Sequence, residues 1–163
     1  MHLKKPAIWY ALASVIILSD QATKKILAMT LTHEQFIPLL PFFNLTLIHN
    51  NGAAFGFLSR RPELALFLFT GVALLMSVVL SIYLYRLSNQ HWKACAFALI
   101  LGGAIGNMID RLMHGYVIDF LDVYYQNWHF PVFNLADCAI SIGAIMLFLE
   151  IFFKKSSAHN YLN

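Results

Sequence analysis

The chain has 163 residues, of which 60% are hydrophobic and 12% charged, against roughly 25% charged in a soluble domain. So few charges cannot cover the apolar surface of a water-soluble protein, and the mean hydropathy of +0.66 makes a lipid bilayer the natural solvent. The net charge of +3 comes from scattered Lys and Arg and excludes the basic stripe that nucleic-acid binding needs, while Cys95 and Cys138 form neither a disulfide framework nor a CxxC pair and read as buried thiols.

Charged residues punctuate the chain, and the gaps between them predict its elements. A first span is expected over about 7–27, beginning after Pro6, which suits a helix start, and continuing through Asp20. Lys4-Lys5 followed by an apolar run has the look of a secretory signal peptide. Its cleavage-like Ala11-Leu-Ala13, however, falls inside that run and leaves almost no apolar core before it, so the segment is read as an uncleaved span. The linker 30–62 then carries a run of β-branched and aromatic residues, Phe42-Phe-Asn-Leu-Thr-Leu-Ile-His49, followed by Asn50-Asn51-Gly52. Asn and Gly tolerate positive φ and mark a turn, so a small extracytoplasmic β element is predicted over about 42–57. Pro38 and Pro41 hold the preceding segment extended.

Between Glu63 and Arg86 lie 22 uncharged residues, Leu64 to Tyr85. As a helix they cover roughly 33 Å, enough for a hydrocarbon core of about 30 Å, giving a second span over 64–85. A third is expected over about 94–112 and a fourth over 132–153. In the intervening loop 115–131, Tyr116, Tyr124, Tyr125 and Trp128 fit an interfacial aromatic belt. The fold class is thus an all-α polytopic membrane protein, one domain over 1–163, with four transmembrane helices and both termini on one side. Six basic residues on the terminal side against five on the other do not decide orientation by the positive-inside rule. The lysine pairs near the two ends favour cytoplasmic termini.

Ionisable residues at membrane depth are costly and point to function. Asp20, Asp110, Arg111 and Asp137 lie within or at the ends of apolar runs, and Asp119 and Asp122 lie in the short apolar stretch 117–123. Topology sends all of them to the outer face. Gly103, Asn107 and Arg111 share one helix face at i, i+4, i+8 spacing, and Asn134 and Asp137 share another at i, i+3. Gly102 and Gly106 make a small-xxx-small pattern for close helix approach. Each residue also has a plainer reading: Asp110 and Arg111 as an ion pair at a helix end, the asparagines as interhelical bonds, Asp122 as a solvated charge. The dispersed histidines show no metal-ligand spacing, and no metal or cofactor is expected. On residues alone, a small ion-coupled transporter and a noncatalytic assembly protein stay open beside a hydrolase. A transporter of this kind would be expected to show inverted repeats or paired broken helices, and the sequence has neither.

Five blocks then occur in order: Asp20-Gln-Ala-Thr-Lys24, Asn51-Gly-Ala-Ala-Phe55, Gly102-Gly-Ala-Ile-Gly-Asn107-Met-Ile-Asp-Arg111, Val117-Ile-Asp119-Phe120 and Phe133-Asn134-Leu-Ala-Asp137. Together they resemble the signature set of lipoprotein signal peptidase (signal peptidase II), over about Asp20 to Ile142. The resemblance implies catalytic Asp119 and Asp137, with supporting roles for Asp20, Asn51, Gly52, Asn107, Arg111 and Asn134. It further implies a site near the outer surface of the bacterial inner membrane, a prolipoprotein substrate whose Cys bears diacylglycerol, cleavage just before that Cys, and inhibition by the cyclic peptide globomycin. A monomer is expected. Leu135-Ala-Asp-Cys138 mimics the cleavage motif but lies far from the N-terminus and is read as coincidence. The chemistry fits the residue types, because peptide hydrolysis needs a base for water and an acid for the leaving nitrogen, and two close carboxyls sharing one proton can divide those tasks.

Overall fold

The computed structural model describes residues 5–52 and 62–159. Four long helices carry the fold: α1 (Lys5–Thr30), α2 (Pro62–Arg86), α3 (His91–His114) and α4 (Leu135–His159). Each expected span lies within one of them, apart from residues 132–134, which precede α4 as its extended lead-in. Among the described residues, three stretches, Glu63–Arg86, His91–His114 and Leu135–Phe153, are long and apolar enough to cross a membrane. Helix α1 matches them in length but carries Asp20, Lys24 and Lys25 in its second half.

Helix α3 is the hub against which the other three pack. Its inward positions are small: Ala94, Ala96, Ala98, Gly102, Gly103 and Gly106 are all buried. A β-carbon at Gly102 would stand 2.8 Å from the carbonyl oxygen of Ala13 on α1, and one at Gly103 would collide with that of Ala136 on α4. The small-xxx-small pattern therefore works as expected: backbones approach because nothing separates them. Away from the sheet, Leu80 and Leu84 of α2 pack with Ala13, Ala94, Ala98 and Leu101. The indole N–H of Trp9 donates to the carbonyl of Ser88 at 2.9 Å. Large side chains point outward instead, Phe67, Leu75, Phe148 and Ile151 among them, as lipid-facing surfaces require.

The β element is larger than the sequence indicates. Strands β1 (Ile37–Leu40), β2 (Phe43–Asn50), β3 (Val117–Tyr125) and β4 (Trp128–His129) form one antiparallel sheet in the order β1-β2-β3-β4. The second half of the predicted element, 53–57, lies outside the described residues. Pro38 sits in β1, the edge strand, where a missing N–H is tolerated. The stretch 115–131, expected as an aromatic loop, instead supplies β3 and β4. β3 is fixed on both sides: it pairs with β2, and its Phe120 and Leu121 N–H groups donate to the carbonyl of Phe133 at 3.0 and 2.8 Å.

A β-bulge between Leu45 and Ile48 shifts the register, so that Asn44 faces Asp122 while Ile48 faces Asp119. Those two aspartates are three residues apart and so lie on opposite faces of β3. The bulge re-aims β2 to serve both.

Candidate functional site

Asn134 precedes α4, and its side-chain oxygen accepts the N–H of Asp137 at 2.9 Å. Asp137 returns the bond, accepting the N–H of Asn134 at 3.1 Å. This reciprocal capping box explains why α4 begins here and fixes both side chains against the helix end. The amide nitrogen of Asn134 is then free to donate elsewhere. It reaches Oδ1 of Asp119 at 2.7 Å and Oδ1 of Asn107 at 3.1 Å. Asn107 on α3 donates its own N–H to Asp137 at 2.8 Å. Two asparagines, one on α3 and one leading into α4, thus lie between Asp119 on β3 and Asp137 on α4, with one carboxylate bound by the amide nitrogen of each.

Asn107 is itself oriented from α1. Lys24 donates to its oxygen at 2.9 Å, so the amide nitrogen must face Asp137. Lys24 is buried and bridges Asp20 at 2.8 Å and Asp110 at 2.9 Å. Asp20 accepts the Ala136 N–H on α4, and Asp110 accepts the Ile118 N–H on β3. Gln21 adds a bond to Asp110 at 2.9 Å. The cluster ties α1, α3, α4 and β3 at one point, and its unlike charges make the burial tolerable. Asp110, expected beside Arg111, pairs with Lys24 instead, because the two neighbours leave the helix about 100° apart.

On its other oxygen Asp119 accepts the side-chain N–H of Asn50 at 2.8 Å. Sequence reasoning gave Asn51 a supporting role and did not single out Asn50. Asn51 is exposed and lines the same cavity, whereas Asn50, the last residue of β2, makes the contact. Gly52 supports Asn50: its N–H donates to the Asn50 oxygen at 2.9 Å, fixing the amide's orientation. Its φ of +80° suits glycine. A β-carbon there would also stand 2.5 Å from the ring of Phe69 on α2. That ring lies under the guanidinium of Arg111, 5.6 Å from its centroid, a cation–π distance. Arg111 also donates to the carbonyl of Asn107 at 3.3 Å.

Asp122 was expected to be solvated, and it is fully buried. Asn44 donates to it at 2.7 Å and the His129 ring lies at 2.8 Å, both on the sheet and away from Asp137. Burial without partners would be prohibitive, and these two bonds remove that cost.

Burial raises the Asp119 carboxyl, and repulsion from Asp137 adds to this. The bonds from Asn50 and Asn134 oppose both, and the outcome is a pKa pushed up to about 7. A carboxyl at that value exists in both protonation states near neutrality, as acid–base work requires. A cavity of about 360 Å³ opens against it, lined by Ile48, Asn50, Asn51, Pro131 and Val132 among others. Among the described residues no group of His, Cys, Asp and Glu is arranged to hold a metal ion.

Residues 12–153 match the family described as Signal peptidase (SPase) II. The chain is 49% identical to the lipoprotein signal peptidase of Acinetobacter baylyi over 147 residues, covering 90% of this chain and 82% of that one. It is 48% identical to that of Yersinia pseudotuberculosis over 145 residues, covering 88% and 86%. Among solved structures, a bacterial membrane enzyme determined by the in meso method at 2.3 Å superposes with a TM-score of 0.82 at 30% identity, over 93% of this chain and 91% of that one. A second, at 1.9 Å, gives 0.79 at 31% identity, over 89% and 92%. With nine-tenths of its length shared at this identity, and with the fold and buried carboxyl cluster in place, the chain belongs to the signal peptidase II family.

Proposed function

We propose that this peptidase is an aspartic endopeptidase that removes the signal peptide from diacylglyceryl-modified prolipoproteins, cutting just before the lipidated Cys, with Asp119 and Asp137 as its catalytic pair. The observation that carries this is the joint suspension of the two carboxyls from Asn107 and Asn134, with Asp119 raised to about 7. One carboxyl is ionised and takes a proton from water as the water oxygen attacks the scissile carbonyl carbon. The other is protonated and gives its proton to the amide nitrogen as the C–N bond breaks. The proton gained by the first resets the pair, so no cofactor is needed. Which carboxyl holds the proton is a property of the coupled pair.

In this reading Asn107 and Asn134 orient the carboxyls, Asn50 and Gly52 hold Asp119 from the sheet, and Asp20 and Arg111 fix the helix ends. Asn51 lines the cavity where the substrate backbone lies. All four helices span the bacterial inner membrane, α1 included, as one domain with cytoplasmic termini. The site then lies near the outer surface, where the substrate's acyl chains can stay in the bilayer while its peptide enters under the sheet. One copy supplies both carboxyls, so a monomer suffices, and globomycin is expected to compete for the same cleft. The test is conversion of a lipidated precursor, followed by gel shift. Asp119→Asn and Asp137→Asn should each abolish it while the protein still inserts in the membrane. Full activity in either variant refutes the pair.

A further inference from the structure

Behind β2, on the side away from Asp119, four rings from four segments pack together. His49 of β2 packs on Tyr116, just before β3, with centroids 4.2 Å apart. His33, from the α1–β1 connection, stands 4.5 Å from His49. His114, in the last turn of α3, stands 5.7 Å from Tyr116. Below them Leu31, Leu47 and Ile118 form a small buried cluster. The function described above uses none of these rings.

We propose that His33, His49, Tyr116 and His114 form a proton-sensitive brace for β2, which holds Asn50 against Asp119 while the imidazoles are neutral and loosens when more than one is charged, so that cleavage fails on the acid side. This rests on the assignment of Asp119 to the reaction. His49 and Asn50 are consecutive on the strand and face opposite sides. A displacement of one is therefore transmitted to the other through a single peptide unit, and the Asn50 bond to Asp119 at 2.8 Å leaves little slack.

The charged and titratable groups that face His49 are His33 and His114, with the phenol of Tyr116 between. His33 has the carboxylate of Glu34 at 3.9 Å, the first side chain half-exposed and the second largely exposed. Burial, then the charges of His33 and His114, hold the His49 ring below the ordinary imidazole value of 6.5. The sign follows: the folded protein resists a proton that the unfolded chain accepts. The brace is thus intact above about pH 6.5 and is lost as pH falls below it. His49 borders the cavity beside Asp119 as well, but its ring lies on the opposite side of the strand, and it is a positioning residue here, acting on the reaction through Asn50.

The experiment is the pH–rate profile of the full-length protein in vesicles, with and without the pair His33→Gln and His114→Gln, on a lipidated precursor. Removing two like charges should move the acid limb to lower pH, leaving roughly three- to tenfold more activity than the parent protein at pH about 5.5, for a shift of about half a unit to one unit. Long-range electrostatics alone predicts the opposite. Deleting nearby positive charge would raise Asp119 further and move the limb to higher pH. A limb that stays in place or moves upward overturns the brace. A second measurement needs no variant. In histidine- and asparagine-labelled parent protein, NMR should show His49 titrating below the ordinary imidazole value, with the Asn50 side-chain amide shifting over the same range. An unresponsive Asn50 amide overturns the proposal independently of activity. An error in the assignment of Asp119 would appear separately, as an active Asp119→Asn.

Discussion

Replacing Asn134 by Ala removes both the cap of α4 and a donor to Asp119, and the structure gives each loss a size. The cap bond to the Asp137 N–H is 2.9 Å, and deleting an Asn cap costs about 1 kcal/mol. The bond to Asp119, at 2.7 Å, is made to a buried carboxyl. Losing a donor to such a group costs about 1.5–3 kcal/mol. The variant should therefore unfold about 2–4 kcal/mol more easily at neutral pH. The second loss also has a pH signature. The Asn134 bond holds the Asp119 carboxyl down against burial, so without it the value rises above about 7, by about one unit or more. The limb of the cleavage profile governed by Asp119 should move to higher pH by that amount. Asn134→Ser separates the two effects, because Ser caps a helix well but is too short to reach β3. It should recover about 1 kcal/mol of stability and keep the shifted profile. Gel-shift conversion from pH about 5.5 to 9, beside thermal unfolding of the same samples, reads both. If the Ala variant loses rate equally at every pH, the claimed bond to the ionised carboxyl does not operate and the reasoning is wrong.

Asp119→Asn and Asp137→Asn should each reduce cleavage by at least about a hundredfold, given that acid–base groups contribute about 10²–10⁴-fold, and precursor conversion measures it. Asp122→Asn should retain substantial activity, since its partners Asn44 and His129 lie on the sheet away from Asp137. A loss equal to that of Asp119→Asn would reassign the pair. Lys24→Met should strand Asp20 and Asp110 without their shared cation and cost about 3–5 kcal/mol, read as loss of folded protein in detergent. Gly52→Ala should lower activity more than Gly71→Ala: Gly52 has positive φ with Phe69 2.5 Å from the added carbon, whereas Gly71 has open space. Parallel activity assays compare them. Asp119 also makes the folded state bind a proton more tightly than the unfolded one. Its contribution is fully present below the ordinary value of 3.8 and lost as pH rises through about 7, so Asp119→Asn should narrow the stability difference between pH about 5 and 8.

The helices were legible because charges bound their apolar runs, and lipid leaves a helix few alternatives. The sheet was legible only in part. Residues 117–125 do not alternate, since nearly every side chain from Val117 to Asp122 is buried, so the period-2 signal that marks a half-exposed strand is missing. Asp122 read as solvated because its partner Asn44 is 78 residues away, and no local pattern announces a pairing across that distance. Helical spacing singled out Asn107, Asn134 and Asp137, and the resemblance singled out Asp119; the structure brings these four side chains together. Asn50 was not singled out, because its bond to Asp119 spans 69 residues and depends on a β-bulge visible only in three dimensions. Lys24 read as a topological charge when it is the central cation of a buried cluster.

The position of that lysine bears on how the molecule assembles. One of its acidic partners, Asp20, travels with it on α1, but the other, and the amide it orients, arrive on α3, more than 80 residues later in synthesis. Until then the C-terminal half of α1 holds charges of a kind that cost about 2.5–3.5 kcal/mol each at the centre of a bilayer. The first helix is therefore provisional when made, and the third one locks it, so that the scaffold matures in the same event that aims Asn107 at Asp137.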